Sequence, residues 1–247
     1  MVGMSPVKTK KRRRAMNSPT LSDAADGTHP IHRANSLSGD VYDAIFAQLM
    51  SLKIAPGERI TVDTLVKQFN VSHTPIREAL GRLEGEGLVI KTHLVGYRAA
   101  PQITRRRFDE LYELRLLLEP DGAAKAAASM DEEKLKVLRE AAGVMSRRDD
   151  KDERLHYSTF ARQDGVFHDK IMDFAGNQLI RQTLGFQHTH FHIFRLMFHW
   201  RVTEEALDEH QAILDAFAAR DPEAAAKAMR NHIERSRDRL LPAFERD

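Results

Sequence analysis

The sequence predicts a mainly α-helical protein, an N-terminal winged helix-turn-helix followed by an all-α antiparallel bundle of about six helices. Three observations carry this. Residues 61–90 read TVDTLVKQFNVSHTPIREALGRLEGEGLVI, two short amphipathic helices separated by a turn. Two short β-prone runs, 88–90 and 97–99, then bracket a turn. Beyond Pro101 strand alternation disappears and only helical periodicity remains.

The first 35 residues hold Lys8, Lys10, Lys11, Arg12, Arg13, Arg14 and Arg33 against Asp23 and Asp26, a net of +5, among Ser, Thr, Pro, Gly and Asn. This composition predicts a disordered basic tail, either a nonspecific phosphate contact or a solvated leader. No apolar run follows the charges, so it does not read as a secretory signal. A helix over 39–52 places Val41, Ile45, Leu49 and Leu52 on one face, and Ala55, Pro56 and Gly57 turn the chain after it. Val62, Leu65, Val66 and Phe69 form the apolar face of the next helix, and Asn70 suits the left-handed geometry of a helix end. Ser72 is a candidate N-cap, and Pro75 sits in the first turn of the following helix, where its missing N–H costs nothing. In that helix Ile76, Leu80 and Leu83 face inward, leaving His73, Thr74, Arg77 and Gly81 outward, where a DNA major groove would meet them. Gly85 and Gly87 stop it, and His93 to Gly96 make the turn of a hairpin, or wing.

The runs VSHTPIREAL from Val71 and RLEGEGLV from Arg82 resemble the winged helix of the GntR family of bacterial transcription regulators. The resemblance spans residues 36–101 and implies DNA contacts at His73 and Arg77, with the wing at Gly96 approaching the minor groove. The chain departs from the family at His73 and Asp63, positions where arginine is common. Histidine donates one hydrogen bond to a guanine or phosphate and lacks arginine's bidentate fork. Residues 36–101 hold seven Lys/Arg and seven Asp/Glu, so a DNA face there is basic by arrangement and not by excess.

At 247 residues the chain has length for two domains, expected at 36–101 and 102–247 behind the tail at 1–35. The absence of cysteine excludes disulfides and thiolate metal sites and fits the cytoplasm. No apolar run is long enough for a membrane span.

Past Pro101 the periodicity predicts helices near 104–128, 131–148, 153–175, 177–200, 203–219 and 222–241. Asp164 and His168 stand four apart on one face with Phe160, Ile171 and Ala175. His210 lies on the stripe of Ala206, Ile213 and Phe217, and His232 near Met229 and Ser236. Three helices thus aim one carboxylate and three imidazoles inward. Such a set is either a hydrogen-bonded polar core or a site for one divalent metal, Zn²⁺, Ni²⁺, Mn²⁺ or Fe²⁺. Over 177–200, His188, His192, Arg195 and His199 share one stripe and Phe191, Phe194 and Phe198 another, while Asn177 caps or turns the chain after Gly176.

The segments ELRLLLEP from Glu113, DGVFHDKI from Asp164, AGN from Ala175 and EHQAILDA from Glu209, with His232, resemble the metal-containing FCD form of the FadR-type GntR regulators. That resemblance implies a metal on Asp164, His168, His210 and His232, and a small organic acid effector completing its coordination. Arg115 matches a position that commonly faces the effector; a salt bridge to Glu119, one turn on, is its alternative. Arg195 is the second expected effector contact. Together these readings describe a homodimeric transcription regulator, a repressor relieved by effector, reading an inverted repeat in double-stranded DNA. Imidazole must be neutral to bind metal, so metal affinity is expected to fall as pH drops through 6–7. Two competing classes are a metal-dependent enzyme acting on a small organic acid, for which no separate inward carboxylate stands out as general base, and a nonspecific DNA architectural protein.

Overall fold

The computed structural model describes residues 1–3, 37–146, 153–198 and 201–245, apart from the side chains of residues 201 and 202. The basic run of the tail and His199 lie outside the described residues.

Helix α1 (Leu37–Met50) buries Val41, Tyr42, Ile45, Phe46, Leu49 and Met50. It stops two residues short of the expected end, because Leu52 adopts φ +55° and leaves the helical face. Strand β1 (Arg59–Ile60) follows, then α2 (Val62–Phe69), which ends at Asn70 with φ +53° and its N–H bonded back to the Val66 carbonyl. Helix α3 (His73–Gly85) starts after Ser72, whose backbone is extended but whose side chain makes no capping bond. Its buried face is Ile76, Ala79, Leu80 and Leu83, while His73, Thr74, Arg77 and Gly81 are exposed. Strands β2 (Val89–Thr92) and β3 (Gly96–Ala99) pair antiparallel with Val89 opposite Ala99. The sheet order is β1-β3-β2. Strand β1 escaped the sequence reading because two residues carry no measurable alternation.

The helical elements are α4 (Arg105–Ala128), α5 (Glu132–Met145), α6 (Glu153–Phe174), α7 (Gln178–Gly185), α8 (Thr189–Phe194), α9 (Arg201–Ala218) and α10 (Pro222–Leu240), closed by a 3-10 turn (Leu241–Phe244). Thr104, Asp131, Asn177 and Asp221 cap α4, α5, α7 and α10 by accepting first-turn backbone N–H groups. The single helix expected over 177–200 is two. After Gly185 the chain makes a tight turn in which the His188 N–H bonds to the Gly185 carbonyl and His188 itself takes φ +44°. The stripe drawn through His188, His192 and Arg195 therefore does not exist. Carbonyls at the end of α8 are met by other elements: Tyr157 Oη lies 2.8 and 2.6 Å from the Phe194 and Met197 carbonyls, and Gln102 Nε2 donates to those of Arg195 and Leu196.

Buried apolar side chains form one cluster from Val41 in α1 to Leu240 in α10, with α4, α6, α9 and α10 forming the bundle interior. That interior is where the polar exceptions sit.

Candidate metal centre

Asp164 and His168 project from successive turns of α6, His210 comes from α9 and His232 from α10, and all four are buried. One candidate ligand atom from each lies within 4.8 Å of the others. His168 Nε2 and His232 Nε2 are 3.2 Å apart, and His210 Nε2 is 3.1 Å from Asp164 Oδ1.

The outer nitrogens explain what the inner ones can be. His168 Nδ1 lies 2.6 Å from Glu119 Oε2, and His232 Nδ1 lies 2.9 Å from Glu209 Oε2. Glu119 is in turn bonded by Arg115 Nε at 2.6 Å, and Glu209 by Arg239. Burial would push the Glu119 carboxyl up, but the Arg115 guanidinium and His168 hold it well below the usual carboxylate range. An ionised carboxylate only accepts, so each Nδ1 donates outward and Nε2 is the atom that each ring turns inward. Where both rings are neutral, two Nε2 lone pairs face each other at 3.2 Å and repel unless a cation lies between them. His210 Nε2, despite its closeness to Asp164, has no aligned hydrogen bond. The donor set therefore fits a divalent ion. Metal bonds of about 2.0–2.2 Å place neighbouring ligand atoms about 3.0–3.4 Å apart, which matches both short distances, and carboxylates orienting ligating imidazoles are the usual supporting arrangement.

Burial opposes the Asp164 charge, yet His190, His210 and His168 around it hold its carboxyl well below the ordinary value. Desolvation pulls His210 down, and it pulls His232 well below 6.5 with help from its imidazole neighbours. In the unfolded chain these rings titrate near 6.5. Below that pH the unfolded state binds protons that the folded metal-free state refuses, so stability is lost as pH falls from about 6.5 toward the lower folded values. The slope is about 1.4 kcal/mol per pH unit for each ring. We expect the Tm of chelator-treated protein to drop steadily from pH 7 to pH 5; a flat profile would contradict the buried neutral rings. The same depression moves proton competition with a metal below the 6–7 range expected from free imidazole.

A cavity of about 280 Å³ adjoins the centre, lined among others by Glu119, Arg162, His168, Arg181, His190 and Phe191. Neither arginine expected to meet an effector lines it. Arg115 is fully engaged with Glu119, the salt-bridge alternative, and bears on the centre through His168. Arg195 is buried on the far side of α8, where Nη2 donates to the Ala100 carbonyl at 2.6 Å while Nε and Nη1 have no partner. Desolvation alone lowers its pKa to about 10. The cavity's own cations are Arg162, paired with Asp43, and Arg181, paired with Asp169 and Asp173. Sequence reading missed these, His190 and the role of Glu209, because each depends on a neighbour from another helix. Glu119 and Glu209 also revise the expectation that no further carboxylate points inward. Both exist, and both are occupied as acceptors for imidazole N–H groups.

In the winged helix, the two departures from the family pattern meet each other: His73 Nε2 lies 2.9 Å from Asp63 Oδ1 on the surface. Thr74 and Arg77 are exposed beside them, and Arg77 makes no ion pair among the described residues. Gly96 is exposed at the wing with φ +99°, a conformation that strains other residues.

The model of the gntR family of bacterial regulatory proteins matches residues 37–98, and the FCD domain model matches 110–235, more than half of the chain. The uncharacterized HTH-type transcriptional regulator YdhC of Bacillus subtilis is 26% identical over 210 residues, covering 83% of this chain and 91% of its own. The Nta operon transcriptional regulator of Aminobacter aminovorans is 28% identical over 192 residues, covering 78% and 89%. Among solved structures, E. coli McbR/YncC superposes with a TM-score of 0.62 at 20% identity, over 85% of this chain and 99% of that one. A GntR transcriptional regulator of Rhodococcus sp. RHA1 gives 0.63 at 21%, over 84% and 98%. The structures share the fold, and the sequence relatives are regulators, not enzymes. The chain belongs to the GntR family and is a DNA-binding transcription regulator carrying an FCD effector-binding domain behind its winged helix-turn-helix.

Proposed function

We propose that this regulator is a cytoplasmic homodimeric repressor whose operator binding is controlled by a small carboxylate effector at a divalent metal held by Asp164, His168, His210 and His232. In this reading residues 36–101 form the DNA-binding unit and 102–247 the effector and dimerisation unit. The observation that carries the reading is the pair of inward Nε2 atoms 3.2 Å apart, each ring held by a carboxylate on its outer nitrogen. When bound, the metal supplies Lewis acidity to a carboxylate oxygen arriving from the cavity. The chain's residues do the rest. Glu119 and Glu209 orient the imidazoles, Arg115 keeps Glu119 charged, Arg239 pairs with Glu209, and the cavity wall limits the effector to small acids. Arg162 lines the cavity and reaches Asp43 of α1 at 2.7 Å, linking the effector side to the DNA-binding side.

Metal content by mass spectrometry, on protein purified without chelator or a nickel column, tests this reading. About one ion per chain is expected, with thermal stabilisation by small carboxylic acids; protein free of metal at neutral pH would sink it.

On DNA, His73, Thr74 and Arg77 would meet the major groove and Gly96 would let the wing approach the minor groove. Arg77→Ala is expected to cost about 1–3 kcal/mol on an operator duplex selected by the wild-type protein, with a smaller loss on random DNA. Fluorescence anisotropy at fixed salt measures both, and an equal loss on the two duplexes would reduce Arg77 to a phosphate contact.

A further inference from the structure

Helix α8 carries a fourth imidazole that no metal-ligand set includes. His190 Nε2 is buried without a hydrogen-bond partner and faces the second oxygen of Asp164 at 3.9 Å, too far for a hydrogen bond. Its ring centroid lies 4.7 Å from that of His168, and its side chain lines the cavity. Asp164 thus has His210 against Oδ1 and His190 on the side of Oδ2. Two bonds of about 2.1 Å span at most about 4.2 Å, so a single ion can reach both His190 Nε2 and Asp164 Oδ2. Leaving a buried imidazole nitrogen unpaired is costly, and ligation is the contact that this position offers.

Helix α8 and the residues just after it are also fastened to the DNA-binding side. Arg195 donates to the Ala100 carbonyl just past β3, Gln102 bonds the Arg195 and Leu196 carbonyls, and the Phe191 ring meets Phe46 of α1 edge-on at 5.1 Å. Arg195 Nε and Nη1 have no partners, so its attachment has spare donors for a second arrangement.

We propose that His190 is a fifth protein ligand to the metal, on the cavity side, and that an arriving carboxylate displaces it and frees α8 from the centre. One neutral imidazole leaves and one carboxylate oxygen arrives, with no electron transferred. The released α8 carries the change to α1 and to the residues after β3. This inference rests on the metal-and-effector reading and adds to it the residue that the effector must compete with.

The test uses full-length protein loaded with Co²⁺, whose paramagnetism shifts the ring protons of every ligating histidine out of the ordinary proton NMR range. The wild type is expected to show four sets of shifted imidazole signals, falling to three in His190→Ala and on saturation with acetate. Three sets in a wild type that holds cobalt would overturn the ligation while leaving the metal site standing. Four sets that acetate leaves unchanged would overturn the displacement. Failure to take up cobalt at all would overturn this inference together with the reading beneath it. The wild-type count is decisive even where the alanine variant folds poorly.

Discussion

His232→Ala is expected to strip the metal from the protein. The substitution removes one of four inward ligands and leaves Glu209 bonded to Arg239. Loss of a residue that merely supports a ligand already costs about 10–100-fold in metal affinity, so loss of a ligand itself should exceed about 100-fold. Mass spectrometry after dialysis against trace zinc should fall from about one ion per chain to nearly none, and His210→Ala should behave alike. If the metal is regulatory, both variants keep operator binding and lose the response to effector. Circular dichroism showing that both variants unfold would identify the metal as structural, and full metal content in either would refute the assigned site.

Arg115→Ala should be the most destabilising single substitution tested. Arg115 and Glu119 are 1% and 3% exposed in their side chains, and removing the guanidinium leaves a carboxylate in the bundle interior with only His168 Nδ1 to satisfy it. Breaking a buried pair from one side costs about 3–5 kcal/mol, whereas replacing both partners by well-packed neutral groups is often close to neutral. Denaturant unfolding should therefore show a large loss for Arg115→Ala and substantial recovery in Arg115→Met combined with Glu119→Gln. A direct effector contact predicts the opposite pattern, an unchanged unfolding midpoint with effector response abolished. The same double variant separates stability from metal affinity, since His168 then loses the charge that orients its ring.

What could be read from the chain beforehand follows from the range of the forces involved. Helix periodicity is local, so Ile76, Leu80 and Leu83 could be placed inside and His73, Thr74 and Arg77 outside from spacing alone, and Asn70 could be recognised as a left-handed helix end. The single helix expected over 177–200 failed for a reason that is not local. Its composition suits a helix, but α8 packs on α6 as a separate element, and Tyr157 and Gln102 take the carbonyls of residues 194–197 at its end. Arg195 was misread with it: once the helix breaks, the residue faces Ala100 and not the cavity.

The sequence by itself determined the helix-turn-helix, the helical character of the rest and the inward face that each of Asp164, His168, His210 and His232 takes on its own helix, because each follows from periodicity within one element. Only the tertiary structure decided which nitrogen of each imidazole faces inward, that Arg115 belongs to Glu119, that His190 stands beside the centre, and that α8 touches both cavity and winged helix. Those facts depend on pairs such as Glu119 with His168 and Gln102 with Arg195, 49 and 93 residues apart along the chain. No local propensity encodes such pairs, and they arise only when the bundle closes and every buried polar group must find a partner.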